Sequence, residues 1–155
     1  MRLYELSGTA EQPQLSGAFI TLDYAPEEWT DAKATDWKDE DKDVCVGALE
    51  FDTSHGRVLA MTLFFNDWGE DDAHRGAPKL RVEEKIAWLR LRQCPKDGSI
   101  AGDASPPVLA LVWREFFKCV LTKVDVTRTK LHPLTLDAIR ATVDIELKEF
   151  VGEAQ

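Results

Sequence analysis

The side chains with the most chemistry to offer in this chain are three histidines, three cysteines and a surplus of carboxylates. His55 sits in a turn-like stretch, His74 in an acidic one and His132 beside Pro133, and none is set in a recognisable nucleophile motif with a serine or cysteine. Cys45, Cys94 and Cys119 are odd in number, far apart and not in CxxC spacing, which excludes a disulfide framework and a zinc site. They read as free structural thiols in the core. Asn66, Asp67, Glu70, Asp71, Asp72 and His74 offer oxygens to a hard cation, but their spacing is not that of a calcium loop and no glutamate closes it. GxGxxG, GxxxxGK[ST] and HExxH are all missing. The sequence therefore nominates no catalytic residue, no cofactor and no metal, and is expected to belong to a non-enzymatic protein.

Bulk properties narrow the partners. Formal net charge is −9, so the chain lacks the basic face that phosphate neutralisation needs, and nucleic acid is not an expected partner. A negative surface is also repelled by anionic membranes. No run reaches the ~18–20 apolar residues of a spanning helix, and residues 1–12 do not read as a signal peptide. Cytoplasmic synthesis and assembly are the expectation. At 155 residues one domain is expected, large enough for a core without staples.

The elements that must position any functional surface are mostly strands. In Ile139–Phe150 the apolar residues Ile139, Ala141, Val143, Ile145 and Leu147 alternate with Arg140, Thr142, Asp144, Glu146 and Lys148. Successive strand side chains face opposite ways, so this is a long strand with one face in a core and the other in water. Val108–Trp113 reads as a strand buried on both faces. Phe116–Arg128 reads as one whose apolar parity changes, which predicts a bulge or two-sided burial. Val44–Phe51 and Arg57–Phe65 are expected to pair as a hairpin across Asp52–Gly56. Phe19–Tyr24 is a further strand, closed by Pro26. Residues 1–16 read as an N-terminal arm or loose edge, Glu27–Asp43 and Asn66–Pro78 as acidic loops, and 96–107 as an internal loop. One helix is predicted over Lys79–Arg92, with Val82, Ile86 and Leu89 forming a stripe, acids at its start and arginines at its end. The sum is a mainly β chain of two packed antiparallel sheets with one covering helix.

Several landmarks, in order, resemble the tube-like domain of contractile injection systems, found in their tube–baseplate adaptor proteins. Tyr24-Ala25-Pro26-Glu27-Glu28-Trp29 is similar to the family's Phe-Asn-Pro-Glu-Glu-Tyr turn, with Trp37 beyond it. Leu63-Phe64-Phe65-Asn66-Asp67-Trp68 resembles its Leu-Phe-Phe-Asp strand end. Pro106-Pro107-Val108 through Trp113 resembles its Pro-Pro strand ending in Trp, and Phe117-Lys118-Cys119-Val120-Leu121 follows at the right distance. Ile139-Arg140-Ala141 through Leu147-Lys148-Glu149-Phe150 is similar to its closing strand. Arg114 and Cys119 stand where the family usually has glycine, and Pro133–Asp137 replaces its Asp-Gly-x-Pro turn.

The resemblance covers about residues 18–150 and implies a tail-tube-like fold: two sheets and a helix, six copies closing into a ring about a channel. Its implied role is a structural ring joining inner tube to spike and baseplate in a phage-tail-like particle, released with that particle. Larger relatives continue into a LysM module, and the chain's end at Gln155 is expected to leave that wall anchor out. On this view Arg140, Thr142, Asp144, Glu146 and Lys148 are candidates for the channel wall. Trp29, Trp37 and Trp68 are candidates for an interface, since aromatics in polar loops mark contact sites. An inner tube subunit and a tube terminator stay open beside the adaptor. A reading of another class is a monomeric β-sandwich that grips a basic partner through Glu27–Asp43 and Asn66–His74.

Overall fold

The computed structural model describes residues 1–8, 13–40, 48–67, 81–95 and 105–151. The closing strand, β9, spans Ala138–Glu149 and buries Ala141, Val143, Ile145 and Leu147 as the alternation requires. Ile139 departs from that parity, being only half-buried, while Ala138 is buried, because the ladder slips at the end of the preceding strand. That strand, β8, is Phe116–Leu131 and pairs with β9 along most of its length. Its register shifts between Leu121 and Lys123. The bulge moves the inner face from Phe117, Cys119 and Leu121 to Val124 and Val126, which explains the parity change in the sequence. On its other side β9 pairs with β6, Val58–Asn66, in unbroken register from Val58↔Lys148 to Asn66↔Arg140.

The remaining strands correct three sequence-based expectations. Residues 1–16 are not a loose arm: β1, Arg2–Gly8, lies between β2, Pro13–Thr21, and β7, Leu109–Val112, with Leu3 and Leu6 buried. Its glycine-flanked, mixed composition conceals a strand because the burial comes from its pairing with β2 and with β7, which lies far along the chain. The expected hairpin between Val44–Phe51 and Arg57–Phe65 does not form. Both edges of β6 are taken, by β9 and by β3, Trp29–Ala32. Strand β5, Ala48–Ser54, pairs instead with β4, Thr35–Glu40. The turn-like residues after Ser54 thus carry the chain from one sheet to the other. Part of Glu27–Asp43, read as a solvated loop, is therefore strand, with the side chains of Trp29–Ala32 and of residues 35–38 exposed.

The fold is mainly β, with two antiparallel sheets of unequal size: seven strands in the order β2-β1-β7-β8-β9-β6-β3, and the pair β4-β5. The large sheet must be strongly curled. In a flat sheet β2 and β3 would stand six spacings apart, roughly 29 Å, whereas the eight residues from Thr21 to Trp29 reach roughly 28 Å only when fully stretched. Aromatic contacts measure the same curl. Tyr24, just past β2, lies 5.5 Å from Phe64 on β6, and Trp29 on β3 lies 5.6 Å from Trp113 beyond β7. Sheet twist and bulges make such closure possible.

The core occupies the inside of this curl, and the helix α1, Val82–Leu91, lays Val82, Ile86 and Leu89 on it as the stripe predicted. Within the described residues the helix runs from its N-cap Arg81 to its C-cap Arg92, and residues 79 and 80 of the predicted Lys79–Arg92 span lie outside those described. Its N-terminus is satisfied by two carboxylates, one outside the helix and one in its first turn: Asp67 accepts the Val82 N–H at 2.8 Å, and Glu84 accepts the Arg81 N–H at 2.7 Å. Each fully buried Val, Leu or Ile contributes about 1.5–3 kcal/mol, so the apolar face of β9 dominates the local energetics. One charge goes in with them. Lys85, buried on α1, donates to Asp23 at 2.5 Å and sits over the Phe65 ring, tying the helix to the crossover between β2 and β3.

A polar sheet face and an exposed hairpin as candidate assembly surfaces

The five polar residues of β9 share one face, opposite the core, because the strand's pleat is regular from Arg140 to Lys148. Their neighbours on β6 and β8 extend that face sideways. Ala60, Glu146 and Lys123 form one row, Thr62, Asp144 and Asp125 the next, and Phe64, Thr142 and Thr127 the third. Arg140 donates to Asn66 at 2.9 Å, and Thr62 donates to Asp144 at 2.6 Å. Thr122, the bulge residue, donates to the Glu146 carboxylate at 3.0 Å. The face is hydrogen-bonded and mixed in charge.

Its electrostatic pivot is Lys123. Asp125 and Asp144 stand directly opposite each other, a repulsive arrangement for two like charges. Lys123 bonds Asp125 at 2.9 Å. That hydrogen bond, with the nearby charges of Asp125, Glu146 and Asp144, raises the lysine above its ordinary value. A shallow groove of about 340 Å³ runs beside it, lined in part by Trp29, Thr62, Lys123, Asp144 and Glu146.

Of the tryptophans named from sequence, Trp29 and Trp37 pack on different partners. Trp37 is 56% exposed on β4 and packs edge-on against Phe51 of β5 at 5.7 Å, the latter 54% exposed. Trp29 turns toward Trp113 and helps close the curled sheet. Trp68 lies outside the described residues. The seam around Trp29 includes residues the sequence did not single out. Arg57 makes a two-pronged bond to Asp31, reaches Glu115 and lies over the Phe117 ring. The guanidinium holds the Asp31 carboxyl below its ordinary value, and Asp31 holds Arg57 above its own. A lone arginine before a strand carries no sequence signal for this role; only the curl brings its partners together.

The described histidines have structural duties. His55 pairs with Asp36 at 2.7 Å, and His132 accepts backbone N–H groups of its own turn. Burial pushes the Cys119 thiol up to about 12, which leaves it inert, while Cys94 is exposed. Cys45 and His74 fall outside the described residues. Of the six residues expected to suit a cation, Asn66 and Asp67 are engaged by Arg140 and the start of α1, and Glu70, Asp71, Asp72 and His74 are outside those described. No group of three His, Cys, Asp or Glu converges among the described residues. No helix among them is long and apolar enough to cross a membrane.

No curated relative matches the chain. The sequence model described as "Contractile injection system tube protein" matches residues 1–155, every residue of it. Members of that family are structural parts of a contractile injection particle and assemble with its other proteins. The curled mainly β fold, the polar outer face and the family match agree, and the chain belongs to the contractile injection system tube protein family.

Proposed function

We propose that this chain is a ring-forming subunit, six copies closing about a channel, and that the ring joins the inner tube to the spike and baseplate end of the particle. The observation that carries this is the edge of β8. Strand β8 pairs with β7 only from Phe116 to Cys119, while its pairing with β9 continues to Leu131. Beyond Cys119 its other side has no strand partner among the described residues. A long open edge is a liability in an all-β protein unless something covers it. A strand from a neighbouring copy would do so, and a head-to-tail contact of this kind closes into a ring when the rotation permits.

Two further features support the reading. A two-stranded ribbon such as β4–β5 is marginal by itself, and its exposed Trp37–Phe51 pair suits a neighbour's surface. The face carrying Arg140, Thr142, Asp144, Glu146 and Lys148 is polar and hydrogen-bonded, as the wall of a water-filled channel should be. Native mass spectrometry and negative-stain microscopy of the purified chain at high concentration test the proposal. Six-membered rings are expected, together with capture of tube and spike proteins of the same particle. A protein that stays monomeric and captures neither overturns it.

A further inference from the structure

Strands β3 and β6 pair from Trp29↔Met61 to Ala32↔Val58, and there the ladder breaks. It resumes as β4 with β5 at Thr35↔Ser54. The ribbon is therefore the outer half of one long hairpin, residues 29–61, whose inner half belongs to the large sheet. The break is unequal: Lys33 and Ala34 on one side face His55, Gly56 and Arg57 on the other. An extra residue on one side interrupts pairing and bends the strand that carries it.

The two sides of the break are held differently. On the sheet side Arg57 is pinned. Its N–H donates to the Glu149 carboxylate at 2.8 Å, its carbonyl accepts the Glu149 N–H at 2.7 Å, and its guanidinium grips Asp31. Gly56 is pressed onto the same glutamate, since a Cβ there would lie 3.1 Å from the Glu149 carbonyl oxygen. On the ribbon side the hold comes from His55. Its backbone N–H donates to the Ala34 carbonyl at 3.0 Å, and its ring Nε2–H donates to Asp36, the second residue of β4, at 2.7 Å. Past this point β4 and β5 pair only with each other among the described residues, and none of their described side chains enters the core.

We propose that the β4–β5 ribbon is a hinged arm that pivots on residues 33–34 and 55–56, with the His55–Asp36 pair as the latch that sets its direction. The side chains of the latch are 47% and 56% exposed, and exposed pairs of this kind are individually weak. That weakness suits the role. A two-stranded ribbon with no core behind it needs little to hold it in one direction and little to release it. A surface that prefers another arm position has only this small bias to overcome. The pivot stands on the subunit alone. The arm's use, carrying Trp37 and Phe51 onto a neighbouring copy, rests on the ring reading.

The test uses the full chain with Cys45 and Cys94 changed to serine and nitroxide labels introduced through Lys38→Cys on β4 and Thr127→Cys on β8. Pulsed electron spin resonance of the dilute subunit is expected to give one narrow distance distribution. His55→Ala should broaden it roughly two-fold or more at an unchanged melting temperature, and His55→Gln, whose amide N–H still reaches toward Asp36, should restore it. Gly56→Ala should shift the mean distance, because the added methyl pushes the pivot off Glu149. A distribution already broad in the unchanged protein, or one that His55→Ala leaves narrow, overturns the latch. A mean distance that Gly56→Ala leaves in place overturns the pivot. Broadening that comes with a lowered melting temperature overturns the hinge, for it makes the ribbon part of the cooperative fold. In assembled rings the His55→Ala distribution should narrow again, and one that stays broad denies the arm its neighbour. None of the subunit readings needs a ring, so a chain that meets them and forms no rings keeps the hinge and refutes the ring reading.

Discussion

The indoles of Trp29, on β3, and Trp113, which directly follows β7, lie 5.6 Å apart although those strands are separated by β8, β9 and β6 in the sheet. In a flat sheet four spacings would put them roughly 19 Å apart. The contact is therefore a clasp across the open side of the curl, reinforced by the Arg57–Asp31 pair next to it. Trp29→Ala should destabilise the fold by about 1–2 kcal/mol, less than a fully buried tryptophan because the ring is 44% exposed. Denaturant melts and near-ultraviolet circular dichroism check this. An unchanged midpoint with an unchanged aromatic signal would show that the clasp does not hold the curl.

The two faces of β9 should respond in opposite ways to one kind of change. Val143 is fully buried, so Val143→Asp drives a carboxylate into the core at a cost of several kcal/mol and is expected to abolish folding. Asp144→Ala, one residue on, removes a charge from the outer face and relieves its opposition to Asp125. It should fold normally. Circular dichroism of both variants decides the matter, and a soluble, folded Val143→Asp protein would reverse the face assignment.

That assignment was legible from the sequence because strand alternation is local. The same holds for the stripe of α1 and for the bulge in β8, each written within one short run of residues. What was not legible is long-range. The hairpin predicted between β5 and β6 failed because a turn-like composition states that the chain bends, not which strand it returns to. Strand β1 was missed because its burial is created by β2 and β7. The seam of Trp29, Trp113, Arg57 and Asp31 depends wholly on the curl and left no trace in spacing. The polar residues of β9 were recognisable as one face, while Arg57 and Phe51 became visible only once their neighbours were known.

Acid should loosen the molecule through two carboxylates. The hydrogen bond from Arg128 holds Glu83 below its ordinary value, and the hydrogen bond from Arg57 does the same for Asp31. A group whose folded value is depressed stabilises the fold above its unfolded value, about 4 for these side chains, and that stability is lost as pH falls through the folded value. Melting temperature should be level near neutrality and fall below about pH 4–5. Glu83→Gln and Asp31→Asn should each flatten the acid limb while lowering stability at pH 7. A limb unchanged in both variants would assign acid sensitivity to other carboxylates.

The buried Lys85–Asp23 pair predicts a non-additive result. Their side chains are only 2% and 4% exposed. Lys85→Met alone takes the buried cation away from the Asp23 carboxylate and should cost about 3–5 kcal/mol. Changing both residues, to Met and Leu, removes both desolvation penalties and should recover most of that loss. A double variant as unstable as the sum of the two singles would mean that the residues do not act as a pair.

Assembly and folding should separate most cleanly at Trp37. The core contains no described side chain of β4 or β5, and Trp37 packs on Phe51 of its own ribbon. Trp37→Ala should therefore leave the melting temperature of the subunit almost unchanged. If the ribbon is covered by a neighbouring copy, the lost aromatic contact removes an anchor of the kind that commonly contributes 2 kcal/mol or more, roughly a thirty-fold weakening at each interface. Because a ring contains that interface repeatedly, the loss multiplies and rings should give way to monomers. Light scattering across a concentration series measures the shift. Rings that persist at every concentration would take Trp37 out of the interface while leaving the β8 edge as its basis.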